Sequence, residues 1–401
     1  MRQAFAGVVF LALIVACADN PEPGEPQPVS REGAPLRVAT FNVSLYRDST
    51  GALAKDLQAD TDDQLQAVRQ IIRRVDPDIL VLNEFDYDET GTALALFAEQ
   101  LDQGYTHQLA IPSNTGVATG IDLDGDGRSD HPVGAREYGN DSFGYGIHPG
   151  QYAFAVLSRH PIDKASVRTF QTLLWKDMPG NLMPEGFYAD EVQDIFRLSS
   201  KNHADIPVTI GDQTLHLILA HPTPPGFDGP EDRNGRRNYD EVRLLLDYVS
   251  GEDSWMVDDQ GQAGALATDA SFLIAGDLNA DPVDGDRPEG TDQHAIRKLM
   301  DHPRVTDPQP MSAGGLDASS RQGGGNAAQK GDPALDTADF NDRFVGNLRV
   351  DYVLPSSDLQ VEGSGVFWPA EGEPDYDLVG SGYPPVSSDH RLVWVDLRFP
   401  D

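Results

Sequence analysis

The chain has 401 residues, 39% of them apolar, enough to bury one large core or two ordinary ones and too many for wholesale disorder. Aspartate and glutamate outnumber lysine and arginine by 65 to 30, a formal charge of −35. With no basic run longer than two residues, the chain lacks the broad basic face that grips long nucleic acid by its phosphates.

Residues 1–17 start with Arg2, continue through an apolar run from Val8 to Val15 and end at Cys17. The run is too short to cross a bilayer and has the form of a secretory signal. Its end, Ile14-Val15-Ala16-Cys17, resembles the lipobox of bacterial lipoproteins, whose cysteine is lipidated and becomes the mature N-terminus. Cys17 is also the only cysteine, and a lone thiol in a secreted protein is odd unless it is used. The resemblance implies a secreted protein held at the bacterial cell envelope by a lipid on Cys17; the plainer alternative is an ordinary signal peptide. Residues 18–35 carry five prolines and no apolar periodicity, and read as an extended tether. One globular domain is expected over 36–401.

Within it, Leu36–Ser44 alternates like a strand. Asp62–Val75 fits an amphipathic helix with Leu65, Val68, Ile71 and Ile72 on one face, stopped by Pro77. A buried strand follows at Ile79–Leu82, then a helix at Gly91–Leu101. Residues 111–150, rich in Gly, Asp and Asn, read as long loops. Strands are predicted at Tyr152–Leu157, Ala204–Ile210 and Leu215–Ala220, a helix at Tyr239–Val249 and a buried strand at Phe272–Ala275. Residues 311–346, rich in Gly, Ala, Ser and Asp, read as a long mobile loop inserted before strands at Arg349–Leu354 and Leu392–Leu397. No internal repeat is visible, and the interleaved elements point to one mixed domain of strands and helices.

Polar residues recur at the tips of these apolar strands. Asn42 follows Val38-Ala39-Thr40-Phe41, Glu84 follows Ile79-Leu80-Val81-Leu82-Asn83, and His221 follows Leu215–Ala220. Asp277 and Asn279 follow Phe272-Leu273-Ile274-Ala275-Gly276, Asp351 lies inside Arg349–Leu354, and Asp389-His390 precedes the last strand. Each alone is an ordinary strand end. Together, Ala39-Thr40-Phe41-Asn42, Asn83-Glu84, Gly276-Asp277-Leu278-Asn279, Arg349-Val350-Asp351-Tyr352 and Ser388-Asp389-His390 resemble, in order and spacing, the signature blocks of the endonuclease/exonuclease/phosphatase (DNase-I-like) superfamily.

The resemblance implies an α+β fold of four layers, α/β/β/α, with two packed mixed sheets flanked by helices and the site at one end. It also implies metal-dependent hydrolysis of phosphate esters. Oxygen donors suit Mg²⁺ or Mn²⁺, and no cysteine–histidine cluster with zinc spacing is present. By resemblance Glu84 is the main metal ligand, with Asn42 and Asp389 assisting. Asp277 orients or deprotonates the attacking water and Asn279 holds the water or the phosphate. His390 contacts the phosphate, steadied by Asp351. His221 matches the family's second histidine, but the glutamate that partners it in DNase-type members is missing near Gly150-Gln151-Tyr152.

Two motifs fall outside that set. Asp122, Asp124, Asp126 and Asp130, with Gly127 between them, match the first half of a Ca²⁺ loop, although Val133 stands where the closing glutamate belongs. The alternatives are a structural Ca²⁺ and an acidic turn. Arg233, Arg236 and Arg237 cluster before a helix, either to bind substrate phosphate or as solvated charges at a helix start. The expected substrate is a small phosphate ester. The competing readings are an extracellular nuclease of the same fold and an inactive Ca²⁺-binding surface module.

Overall fold

The computed structural model describes residues 33–251 and 255–400. The signal-like segment 1–17 with Cys17, and the tether up to residue 32, lie outside the described residues. Among those described, no helix is long and apolar enough to cross a membrane.

The strands are β1 (Leu36–Leu45), β2 (Ile79–Phe85), β3 (His107–Ile111), β4 (Phe154–Ser158), β5 (Arg168–Thr169), β6 (His203–Ile210) and β7 (Gln213–Ala220). They continue with β8 (Phe272–Asp277), β9 (Ala338–Asp339), β10 (Asn347–Leu348), β11 (Asp351–Pro355), β12 (Gln360–Val366) and β13 (Val393–Arg398). One sheet has six strands in the order β12-β13-β1-β2-β4-β3, the other five in the order β11-β8-β7-β6-β5, and β9 and β10 form a small hairpin. Both large sheets are mixed: β1 pairs in parallel with β2, and β7 with β8, while the remaining neighbours run antiparallel.

Period-two alternation explains how the sheets stack. Leu215, Leu217 and Leu219 of β7 and Leu273 and Ala275 of β8 join one core with the six-stranded sheet and the helices Ala52–Ala59, Asp63–Val75 and Thr92–Leu101. Ile218 and Ala220, with Phe272 and Ile274, face the opposite way onto the helices Arg233–Ser250 and Ala295–Met300. The result is the four-layer sandwich. Burying one such Leu or Ile stabilises it by about 1.5–3 kcal/mol. Helix Asp63–Val75 starts where Asp62 accepts the Leu65 amide at 3.0 Å, as an N-cap should.

Strand direction sets where polar residues emerge. Parallel pairing brings the carboxyl ends of β1 and β2 out together, and likewise those of β7 and β8. Antiparallel register places Asp351 opposite Asp277. Gly276, at φ 148°, lets β8 run against β7 there: a Cβ on it would lie 2.1 Å from the Ala220 carbonyl oxygen.

The two segments read as loops have more order than composition suggests. Residues 313–322 form a helix capped by Ser312, followed by turns and the β9–β10 hairpin, so 311–346 is a folded insertion. In 111–150 the side-chain Nδ2 of Asn114 donates to the Gln171 and Ser199 carbonyls, both at 2.7 Å, Thr115 forms a β-bridge with Gly144, and a short helix forms at Arg136–Asn140.

Candidate active site

Glu84, next to last in β2, is in the left-handed region at φ 56°, and so is Asn279, two residues after β8, at φ 48°. For a non-glycine residue this is uncommon, and it clusters at functional sites. The turn after β8 is held by the Asn279 amide donating to Asp277 Oδ1 at 2.9 Å. Across the sandwich, Asn42 Nδ2 donates to Asp277 Oδ2 at 3.0 Å, and the Asn42 side chain also hydrogen-bonds Glu84. Asn42 Oδ1 accepts from the Ser44 amide, so Asn42 presents N–H groups to the two carboxylates.

Around Asp277 Oδ2 stand His221 Nε2 at 3.4 Å and His390 Nε2 at 3.7 Å. His390 Nδ1 pairs with Asp351 Oδ2 at 2.9 Å, and Thr337 Oγ1 donates to the same oxygen at 2.8 Å. The Phe340 ring meets the His390 imidazole edge-on at 5.2 Å. Asp389 accepts from Ser44 Oγ at 3.3 Å. Ser388 Oγ donates to the Asn42 carbonyl at 2.7 Å, tying the Ser388-Asp389-His390 turn to β1. Glu84, His221, Asp277, Asn279, Asp389 and His390 line one cleft of about 810 Å³, while Asn42 and Asp351 sit behind its wall.

Burial pushes the Glu84 carboxyl up to about 7, with the neighbouring charges of Asp389 and Asp277 adding to it and His390 and Asn42 opposing. His390 goes the other way to what burial alone would do: Asp351 and Asp277 hold its imidazolium well above the usual range. Burial raises Asp351 as well, and we place the shared proton on His390, between two carboxylates. His221 is held well below the usual range by burial, Lys201 and His390, and its Nδ1 has no hydrogen-bond partner. The absence of a partnering glutamate read from the sequence is thus visible as an orphaned ring nitrogen.

The arginines separate. Arg233 lines the cleft, pairs with Glu231 and lies over Phe187 at 5.8 Å. Arg237 reaches the cleft wall, but its guanidinium donates to the Leu198, Phe143 and Arg197 carbonyls at 2.9, 2.7 and 2.9 Å. Arg236 is not among the cleft-lining residues; its Nε donates to the Glu231 carbonyl at 3.2 Å. All three lie within the helix Arg233–Ser250, not ahead of it. In the acidic loop, Asp122, Asp124 and Asp126 bring carboxylate oxygens within 4.8 Å of one another. Asp130 is not in that group: its side chain is 82% exposed and pairs with Arg128.

Sequence reasoning passed over Lys201, Asn238 and Glu241. Glu241 is fully buried and accepts the Ser200 and Thr223 amides, each at 2.6 Å. Asn238 donates to the Thr223, Leu278 and Asn279 carbonyls. One helix therefore braces the turns carrying His221 and Asn279. The signal was the density of polar residues, Arg237, Asn238, Asp240 and Glu241, in a helix too apolar on its other turns to be a solvated one.

The sequence matches the profile of the Endonuclease/Exonuclease/phosphatase family over residues 39–390. No curated protein matches it significantly. Among solved structures, it is similar to an endonuclease/exonuclease/phosphatase from Beutenbergia cavernae, with 18% identity, TM-score 0.50, and coverage of 91% of this chain and 72% of that one. A family protein from Leptotrichia buccalis gives 14% identity, TM-score 0.46, and coverage of 91% and 100%. A Staphylococcus aureus beta toxin with bound magnesium ions gives 14%, 0.44, and coverage of 90% and 99%. The match covers nearly the whole described chain and takes in the five-stranded sheet, most of the six-stranded one and every residue around Asp277; the protein belongs to the endonuclease/exonuclease/phosphatase family of phosphoesterases and nucleases.

Proposed function

We propose that the chain hydrolyses small phosphate esters with a divalent cation, outside the cytoplasm. The observation that carries this reading is the convergence of Glu84, His221, Asn279 and His390, the last steadied from behind by Asp351, on Asp277 within one cleft. The donors fit a hard cation: Glu84 and Asp389 are oxygen ligands, and Glu84, His221 and Asp277 offer ligand atoms within 4.8 Å of one another. Glu84 sits among like charges that a dication would relieve. Mg²⁺ or Mn²⁺ held by Glu84 and Asp389, with Asn42 aligning both Glu84 and Asp277, would polarise the phosphoryl oxygen and offset charge at the leaving oxygen.

The chain's own residues do the rest. Asp277, held by Asn42 and Asn279, takes a proton from water as the water oxygen bonds to phosphorus. The ester P–O bond then breaks, its electron pair leaves with the ester oxygen, and that oxygen takes a proton from solvent water. His390, cationic beside Asp351, donates to a phosphoryl oxygen, and Asn279 steadies the water or the phosphate.

Charge and cleft size favour a small ester. A volume of about 810 Å³ is that of a small-molecule site. Of the three clustered arginines only Arg233 retains access to the cleft without being tied to backbone carbonyls, so the contacts a duplex needs are scarce. The signal-like N-terminus supports export, and a lipid on Cys17 would supply the anchor. The test is a panel of phosphate monoesters and diesters, nucleotides, a phospholipid head group and plasmid DNA, each with Mg²⁺, Mn²⁺ and Ca²⁺. Small esters should give the higher kcat/KM, and plasmid nicking should be weak and salt-suppressed. Nicking that dominates and persists in salt would put the nuclease reading in its place.

A further inference from the structure

Lys201 stands two residues before β6, and the antiparallel register pairs His203 with Ala220 at the end of β7. The sheet itself therefore delivers Lys201 to the strand end that carries His221. Its ammonium donates to the Pro222 carbonyl at 3.3 Å, and it lines the cleft together with Glu84, His221, Asp277 and Asn279. Yet the residue is only 7% exposed. An ammonium has three N–H donors, and among the described residues this one has a single long hydrogen bond. Glu241, the nearby carboxylate, uses both oxygens on the Ser200 and Thr223 amides.

Glu241, Glu84 and Asp277 attract this ammonium from a distance, but it is in ion-pair contact with no carboxylate among the described residues, and a buried cation so placed is costly; an anion in the cleft would offset that cost. Two more groups in the same wall are unfilled. Ser200 Oγ and Thr223 Oγ1 are buried without a hydrogen-bond partner, and both line the cleft. Glu241 fixes the backbone of both, so Lys201, Ser200 and Thr223 form one preorganised set. Beside it, His221 lacks a carboxylate on Nδ1 and is held neutral, leaving Lys201 as the cation on that flank of Asp277. Burial lowers the Lys201 amine, while Glu241, Glu84 and Asp277 work to raise it; a phosphoryl dianion would act in the same direction.

We propose that Lys201 is a further catalytic residue, whose ammonium binds a non-bridging oxygen of the substrate phosphoryl group beside His221, with the Ser200 and Thr223 hydroxyls completing an anion cradle. The proposal rests on the hydrolysis reading for its substrate. It is tested by a measurement that does not need turnover: calorimetric binding of inorganic phosphate to the Mg²⁺-loaded protein, alongside ester kinetics and a Mg²⁺ titration. Lys201→Met should weaken phosphate binding by about tenfold or more and lower kcat/KM by about 100-fold, with Mg²⁺ affinity not reduced. Lys201→Arg should keep much of the phosphate affinity, which a merely space-filling role would not require. If Lys201→Met fails to fold, Thr223→Val and Ser200→Ala report on the same cradle, each with weaker phosphate binding expected.

Phosphate affinity and kcat/KM within about threefold of the wild type in folded Lys201→Met, or in both hydroxyl variants, would overturn the assignment. So would a wild type that binds no phosphate. A wild type that binds phosphate through Lys201 but cleaves none of the esters would remove the hydrolysis reading and leave the cradle standing.

Discussion

Replacing Glu84 by glutamine should make the metal-free protein more stable at pH 8 while crippling its use of metal. The folded-state carboxyl is pushed from 4.5 to about 7 by burial and by Asp389 and Asp277. Its neutral form is therefore the one that folding favours. In the unfolded chain the group ionises near its ordinary value, so the penalty is absent below about pH 4.5. It grows through the interval and is complete above about 7. The interval corresponds to about 3 kcal/mol, an upper figure, because Glu84 keeps part of its surface in the open cleft and water screens it. Glu84→Gln removes the charge but keeps the shape. In EDTA at pH 8 its Tm should exceed the wild type's by a few degrees, and the gap should shrink towards pH 5 and close below about pH 4.5. Adding Mg²⁺ should raise the wild type's Tm and leave the variant's nearly unmoved. Equal Tm values at pH 8, or a gap that does not shrink towards pH 5, would refute the idea that Glu84 is a crowded carboxylate waiting for a cation.

Asp277→Asn and His390→Ala should each reduce ester hydrolysis by roughly 100-fold or more, measured as kcat/KM; near-normal turnover in either would remove that residue from the chemistry. Chelation should abolish turnover and Mg²⁺ or Mn²⁺ restore it, with Glu84→Ala needing more metal, and rescue by Zn²⁺ alone would contradict an oxygen ligand set. Arg237→Met should lower Tm clearly, since three carbonyls lose their donor, whereas Arg233→Met should leave Tm nearly unchanged and alter only KM. Cys17→Ala should move the protein from the membrane fraction to the soluble one if the cysteine carries a lipid. With Mg²⁺ saturating the cleft, added Ca²⁺ should raise Tm further in the wild type and not in Asp122→Asn if the acidic loop holds it.

The residues legible in the sequence were those at the tips of apolar strands. Asn42, Glu84, His221 and Asp277 each interrupt a run of buried residues, and one-dimensional contrast is enough to mark them. Lys201 has no such contrast: it sits in the polar stretch Ser199–Asn202, and its place depends on the pairing of His203 with Ala220. Arg237 looked like a phosphate ligand because its own carbonyl acceptors, at Phe143, Arg197 and Leu198, are far away in the chain. The helix Ala313–Gln322 was hidden for a different reason. Gly314 and Gly315 lower helix propensity, but a Cβ on Gly314 would lie 2.3 Å from the Trp368 ring. Those glycines mark close packing, a meaning that composition does not distinguish from a loop.

The hydrogen bond from Asn42 to Asp277 has a consequence for how the protein dies. Its donor belongs to one sheet and its acceptor to the other, so the candidate active site is not a property of either half. A state in which both sheets keep their ladders but have slipped or swollen apart would retain its strand content and lose the alignment of Asp277 at once. Activity should thus vanish at the earliest loosening of the seam, ahead of far-ultraviolet signals, wherever heat or denaturant separates the two events. The protein carries a gauge of its own interlayer fit at the spot where a misfit does the most harm.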